Sequence, residues 1–494
     1  MTLNSLSALT AGIAIAALLW SPAAISSDPG TDQIAAGQNR SLTLEPCHIR
    51  GLSDQIACGT LQVPENYDQP DGKQIELNIA RIPSVSHSAE PDPVLFLAGG
   101  PGQAATELAP LIRSLFRDVL QTRDVILVDQ RGTGKSNPLQ CDITIDDHLL
   151  IPTHEDTEQL ARDCAAELDA DFQQYTTVNA VRDFERVREA LGYSQFNLYG
   201  GSYGTRSGLV YLREYPDSIR SAVLDGLAPT QVVIGLFGQT GTTAFHDLLQ
   251  DCESQRACNR RFGNLHHTWL ELKERLEQQP QTLTLNDPRS HEPTDLALTD
   301  WIVSGAIRHA LYSPRSRQLV PLVISEAHKG NFSPLAGLIG SFEGQSPLYM
   351  GLTLSVLCQE DMPRATDDMI RADGENDFLG GRLTNDFAAM CRGWPVEPTD
   401  IAQAEPVHSE KPVLLLSGAQ DPVTPPAWGE LAKETLPNSW HLVAEHGSHT
   451  ILTHTCANRI AARFYNNPQR EPDASCLSNT RLLPFIRNVN AAGM

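Results

Sequence analysis

An α/β fold, with a mostly parallel sheet flanked by helices and a helical cap inserted late in the chain, follows from three observations on the sequence. Short β-branched and aliphatic runs alternate with amphipathic stretches between residues 60 and 226, the pattern of strand-helix-strand units that build parallel sheets. Strand runs then fade from about Ala228 to Glu405, where amphipathic segments take over. They return at 411–418 and 441–444, so the two outer stretches are expected to share one sheet. At 494 residues the chain exceeds the roughly 250 to 300 at which single cores stop growing, in keeping with a large domain that carries an insertion.

At the N-terminus, the first 26 residues bear no charged side chain, and residues 8 to 20 (ALTAGIAIAALLW) form an apolar run shorter than the ~20 needed to span a bilayer. This reads as a secretory signal, with small residues at Ala24 and Ser26 before a cleavage point at Ser27, although the usual basic n-region is missing. The first cysteine, Cys47, lies too far downstream for a lipid-modified N-terminus. The expected organisation is a signal peptide at 1–26, the first part of the core at 27–227, the cap at 228–405 and the second part of the core at 406–494. Export to a periplasmic or extracellular space follows, with no integral membrane anchor once the signal is removed.

A polar segment runs to about Leu44. Strands are expected at 60–64 (TLQVP), 75–83 (IELNIARIP), 94–98 (VLFLA) and 125–129 (VILVD), the last two buried on both faces because their apolar runs are unbroken. From Val178 to Leu191, Val181, Phe184, Val187 and Leu191 share one helical face, with Thr177 placed to cap the start. A strand at 196–200 (FNLYG), a helix from about Thr205 to Tyr215 and a strand at 222–226 (AVLDG) complete the first part. Amphipathic cap segments fall near 243–278, 299–312, 315–329 and 345–358, and a last helix near 455–466. A helical block between strands of one sheet covers the sheet's carboxyl edge, where open α/β sheets bind ligands.

Composition narrows the function. With 41% hydrophobic and 20% charged residues the chain is globular, which excludes a disordered or fibrous protein. The 37 Lys and Arg against 60 Asp and Glu give a net charge of −23, which argues against nucleic acid or anionic lipid as partners and favours cationic over anionic ligands. The ten cysteines contain no C-x-x-C pair, so zinc and thioredoxin chemistry are poor readings, and no metal or cofactor is expected. Pairing of sequence neighbours (47 with 58, 141 with 164, 252 with 258, 358 with 391, 456 with 476) would close five short loops in an oxidising compartment.

The strongest chemical signal is Gly200-Gly201-Ser202-Tyr203-Gly204, a G-x-S-x-G between a strand and a helix, the context of a nucleophile elbow. A serine hydroxyl is a weak nucleophile at neutral pH and needs a histidine base oriented by a carboxylate. Asp421, ending LLLSGAQD, and His449, in EHGSHT after the next strand, occupy the expected order and the same sheet edge as Ser202. His446 and Asp225 are the competitors for base and acid, and Thr424 reads as a helix cap more readily than as a partner of the carboxylate. The stretch Gly99-Gly100-Pro101-Gly102 sits where an oxyanion donor is needed. Proline has no N–H, so Gly100 is the candidate, paired with Tyr203. Gly134-Lys135-Ser136 resembles the end of a phosphate loop, but Asp129 stands where that loop needs its first glycine. Asp129 to Gly134 more plausibly shapes the loop after a core strand.

Taken in order, GGPG, DQRGTGKS, GGSYGT, LDG, DPVTP and GSH resemble the secreted α/β-hydrolases related to proline iminopeptidase and tripeptidyl aminopeptidase, over nearly the whole mature chain. The resemblance implies the α/β-hydrolase fold and a serine exopeptidase that removes one or a few residues from a free peptide N-terminus, using Ser202, Asp421 and His449 with Gly100 and Tyr203 as oxyanion donors. Ala98 departs from the His that precedes GGPG in proline iminopeptidases, which puts strict prolyl specificity in doubt. An ammonium substrate needs a counter-charge in the cap, and Glu360 and Asp361 are the candidates, against the plainer reading of a solvated acidic pair. Two other functions compete: a carboxylesterase acting on small esters, which needs the triad without an ammonium site, and a catalytically silent binding module. The presence of Ser, Asp and His in order speaks against the silent module.

Overall fold

The computed structural model describes residues 42–141, 145–146, 151–152, 156–286, 291–341 and 348–491, and the expected signal segment lies outside them. Nine strands form the main sheet: β1 (Glu45–Cys47), β2 (Ile56–Pro64), β3 (Gln74–Ile82), β4 (Val94–Leu97), β5 (Val125–Val128), β6 (Phe196–Gly201), β7 (Ile219–Asp225), β8 (Val413–Gly418) and β9 (Ser439–Ala444). Their spatial order is β1-β2-β3-β5-β4-β6-β7-β8-β9. The pairs from β1 to β5 across β3 are antiparallel, and every pair from β5 through β4 to β9 is parallel. The strands that lie on opposite sides of the inserted block are therefore neighbours, β7 beside β8.

The continuous apolar runs of β4 (VLFL) and β5 (VILV) are buried at every position, because helices cover both faces. Alternate side chains go to opposite cores. Leu95, Leu97, Ile126, Leu198, Leu224 and Leu415 pack with the helices Thr177–Leu191 and Tyr203–Glu214. Val94, Phe96, Val125, Tyr199, Val223 and Leu416 pack with the helix Ala457–Asn466. Each such side chain contributes about 1.5 to 3 kcal/mol of burial, enough to fix strand register.

Helices dominate from Gly238 to Gly393 and enclose a core of their own, in which Phe245 stacks on Phe378 at 4.2 Å and meets Trp269 at 5.4 Å. One expectation fails here. The strands Gln281–Asn286 and Pro293–Leu298 form an antiparallel hairpin within a stretch read as free of strands. A polar sheet of only two strands gives no long apolar run to detect. A second correction is local: Thr176, not Thr177, caps the helix by accepting from the Asn179 N–H, and Gly192 closes it in the left-handed region at φ 77°. Strand β1, also unanticipated, is tied to β2 by a disulfide between Cys47 and Cys58.

All five neighbour pairings of cysteines are present, with sequence separations from 6 to 33 residues, and no cysteine is free. Among the described residues no helix is long and apolar enough to cross a membrane.

Candidate active site

The G-x-S-x-G motif straddles the end of β6. Ser202 has φ 57° and ψ −124°, a conformation that costs a non-glycine residue on the order of 1 to 3 kcal/mol, and the helix Tyr203–Glu214 starts immediately after it. Surrounding bonds hold the strain: the Ser202 N–H donates to the Asp225 carbonyl at 2.9 Å, and its own carbonyl accepts from the Thr205 N–H at 2.9 Å. The flanking glycines are steric necessities. A Cβ on Gly200 would lie 2.3 Å from the Gly204 oxygen, and one on Gly204 would lie 2.2 Å from the Leu97 oxygen.

The loops after β8 and β9 meet beside this turn. His449 Nδ1 lies 2.8 Å from Asp421 Oδ2, and the imidazole is 8% exposed while the carboxylate is fully buried. Asp421 is saturated: Oδ1 accepts from the Val423 N–H (2.8 Å) and the Thr424 N–H (2.9 Å), and Oδ2 accepts from the Thr424 hydroxyl (2.8 Å) as well as from His449. Thr424 Oγ1 also stands 3.1 Å from His449 Nδ1, so this residue is a partner of the carboxylate, contrary to the capping role read from sequence. His446 makes no such contact, and its Nδ1 is buried without a partner. Bare backbone at Gly226, φ 74°, makes room for the imidazole, since a Cβ there would lie 3.2 Å from His449 Cε1.

The Gly99–Gly102 loop packs against the elbow. A Cβ on Gly99 would lie 3.3 Å from Ser202 Cβ. Gly100 adopts φ 106° before a cis bond to Pro101. Neither the Gly100 N–H nor the Tyr203 N–H donates to any group among the described residues, which leaves both available to an oxygen at the elbow.

Asp225 is not in line with the imidazole. Its carboxylate accepts from the Ile451 N–H and the Leu452 N–H, both at 2.8 Å, and from the Tyr199 hydroxyl at 3.2 Å. Complete burial pushes its carboxyl up to about 7. The same residue thus holds the Ser202 turn through its carbonyl and the loop after His449 through its side chain. Asp129 behaves as a loop former: it accepts from Asn78, from the Thr106 N–H and hydroxyl, and from the Lys135 N–H.

The acidic pair expected to meet a substrate amine needs correction at Asp361. That carboxylate is fully buried, receives both 2.7 and 2.8 Å bonds from Arg206 Nη1, and accepts from the Ile234 N–H and from Arg364. Its charge is already balanced by two guanidinium groups. Glu360 points differently, accepting from the Thr177 N–H (2.6 Å) and hydroxyl (2.7 Å) at the start of a helix. It borders a cavity of about 540 Å³ lined also by Gln173, Thr176, Arg206 and Arg364, and desolvation raises its carboxyl above the usual range. None of Ser202, Asp421 and His449 lines that cavity. Thr177 links it to the elbow, since the Thr177 hydroxyl lies 2.8 Å from the Tyr203 hydroxyl. One cap residue that carries no sequence signal does reach His449: the Tyr312 ring meets the His449 ring edge-on at 5.1 Å, and Arg308 lies over Tyr312 behind it.

Comparison with known proteins agrees with this fold. Residues 92–301 match a family model described as alpha/beta hydrolase fold, and residues 376–476 match one described as TAP-like protein. Serine protease Hip1 of Mycobacterium tuberculosis is 26% identical over 406 residues, covering 74% of this chain and 76% of that protein. Carboxylesterase B of the same species is 28% identical over 446 residues, covering 80% and 81%. Tripeptidyl aminopeptidase of Streptomyces lividans is 30% identical over 196 residues, covering 36% of each. With a mostly parallel sheet, an elbow at the carboxyl edge and these matches at both ends of the fold, the chain has the α/β-hydrolase fold, is similar to TAP-like proteins and is a serine hydrolase.

Proposed function

We propose that this serine hydrolase is an exopeptidase that releases one or a few residues from the free N-terminus of a peptide through an acyl-enzyme. The observation that carries the reading is the Asp421–His449 hydrogen bond beside a strained Ser202 at one sheet edge. With Nδ1–H donated to Asp421, Nε2 is the basic nitrogen and takes the Ser202 proton as Oγ attacks the scissile carbonyl. Negative charge develops on the carbonyl oxygen, where the Gly100 and Tyr203 N–H groups stabilise it. The imidazolium then gives its proton to the leaving amine, and water repeats the sequence to release the acyl part. Glu360 is the candidate for the substrate ammonium, since Asp361 is already neutralised by arginine. Peptides are the expected substrates, in keeping with relatives named as a serine protease and a tripeptidyl aminopeptidase. Five disulfides favour an oxidising compartment, so the mature enzyme is expected to be exported.

Similarity to a carboxylesterase over four-fifths of the chain supports a second reading, hydrolysis of small esters by the same residues. Chromogenic peptide amides with a free or an acetylated N-terminus, assayed beside a nitrophenyl ester, separate the two. An exopeptidase cleaves the free amides and discriminates against the acetylated ones, since acetylation removes the charge that the carboxylate needs. Equal cleavage of both, or hydrolysis of the ester alone, would reject the exopeptidase.

A further inference from the structure

Five arginines are buried among the described residues: Arg123, Arg131, Arg206, Arg308 and Arg317. Four have a carboxylate within 3.1 Å: Asp92, Asp183, Asp361 and Asp251 respectively. Arg308 has none. It is 4% exposed, no described Asp or Glu forms an ion pair with it, and its Nε and Nη2 are buried without hydrogen-bond partners. Leaving guanidinium N–H groups unsatisfied inside a protein is costly, and doing so in a chain of net charge −23, rich in available carboxylates, calls for a reason.

Its position supplies one. Arg308 sits in the cap helix Asp300–Ala310, with its guanidinium carbon 4.7 Å from the Phe237 ring centroid and 5.4 Å from that of Tyr312. Tyr312 in turn packs against His449. The two rings flank the planar cation by cation–π contact while its Nε and Nη2 stay without partners, which leaves that edge for a bidentate acceptor. We infer that Arg308 is an anion subsite of the active centre, and that the preferred substrates carry a carboxylate, on an acidic side chain or at a peptide C-terminus, that pairs with its Nε and Nη2 once bound. The inference rests on the proposed roles of Ser202 and His449 and adds a specificity determinant to them. It also runs against the preference for cationic ligands that net charge alone predicts.

The test compares peptides identical except for Glu against Gln at one position, and peptides with a free against an amidated C-terminus, so the two sources of a carboxylate are read separately. Wild-type enzyme should favour one acidic series by about 30-fold or more in kcat/KM, and Arg308→Met should shrink that ratio to about threefold or less. Arg308→Lys, which keeps the charge and loses the planar fork, should restore part of the ratio. Glutarate, against neutral glutaramide at equal ionic strength, should raise the Tm of the wild type and not of Arg308→Met, a readout that needs no turnover. A flat ratio in both wild-type series, an acidic preference that survives Arg308→Met, or a glutarate shift equal in both proteins would each overturn the inference. If Arg308→Met does not fold, the wild-type ratios and glutarate shift decide alone. Failure of the underlying catalytic reading looks different: hydrolysis then persists in Ser202→Ala.

Discussion

Asp421→Asn isolates what the carboxylate does for the histidine. In the native site two backbone N–H groups, from Val423 and Thr424, converge on Oδ1, while the Thr424 hydroxyl and His449 Nδ1 converge on Oδ2. Backbone donors cannot turn round, so the asparagine oxygen must take the Oδ1 place and its NH₂ must take the other. The Thr424 hydroxyl can rotate and accept, which keeps the fold's cost below about 1 kcal/mol. His449 can satisfy the new donor only by giving up the proton on Nδ1 and carrying it on Nε2, where it can no longer accept from Ser202. The expected loss in kcat is about 10³- to 10⁴-fold, or ~4 to 5.5 kcal/mol on the barrier, with melting temperature nearly unchanged. Steady-state hydrolysis of an amide and an ester, beside thermal unfolding, measures both quantities. Residual kcat within tenfold of wild type, or a loss that tracks unfolding, would refute the tautomer argument.

Ser202→Ala should abolish hydrolysis with the fold intact, and His449→Ala should cost on the order of 10³-fold while His446→Ala is mild; the reverse ranking of the two histidines in the same assay would move the base. Thiol titration of the unfolded, unreduced protein should find none of the ten cysteines reactive, and reduction should lower thermal stability because each loop then regains chain entropy. Removing the charge at Asp361 with Asp361→Ala should destabilise the protein by about 3 to 5 kcal/mol, read by urea denaturation, since Arg206 would be left buried and unpaired. His454 is held down to about 4 by burial while its nitrogen accepts from the Ser448 N–H, against 6.5 when exposed. The unfolded chain therefore binds the extra proton first, so stability is complete above pH 6.5 and falls as pH drops toward 4, by about 2 to 3 kcal/mol. Urea midpoints at pH 7 and 4.5 should differ less in His454→Gln than in wild type.

The centre of the sheet was legible because β4, β5 and β8 carry unbroken apolar runs and the turn after β6 carries glycines that leave no room for a Cβ. Ser202, Asp421 and His449 stood out as candidates because each follows a strand whose end the sequence marks. What escaped notice depends on contacts between distant residues. Asp361 looked available in LCQED, yet Arg206, 155 positions earlier, turns out to neutralise it. The hairpin at 281–298 is too short and polar to stand out, and Thr176 and Thr177 are indistinguishable as caps until the second is seen bonding to Tyr203 and Glu360. Arg308 is one charge in an amphipathic helix, and only its Nε and Nη2 without partners, with no ion pair to a described carboxylate, make it conspicuous.

The double grip of Asp225 has a consequence for how such a chain can change. Because one residue of β7 anchors both the turn that presents Ser202 and the segment that follows His449, the separation of the two is tied to adjoining strands of the sheet, with Tyr312 of the insertion packing on His449 from the other side. The insertion is then free to acquire new pockets, charges or hairpins while the reactive groups stay in register. A carboxylate buried without an ion-pair partner among the described residues is an expensive way to secure this. Substitutions in the insertion away from Tyr312 can therefore accumulate without each step having to rebuild the placement of Ser202 against His449.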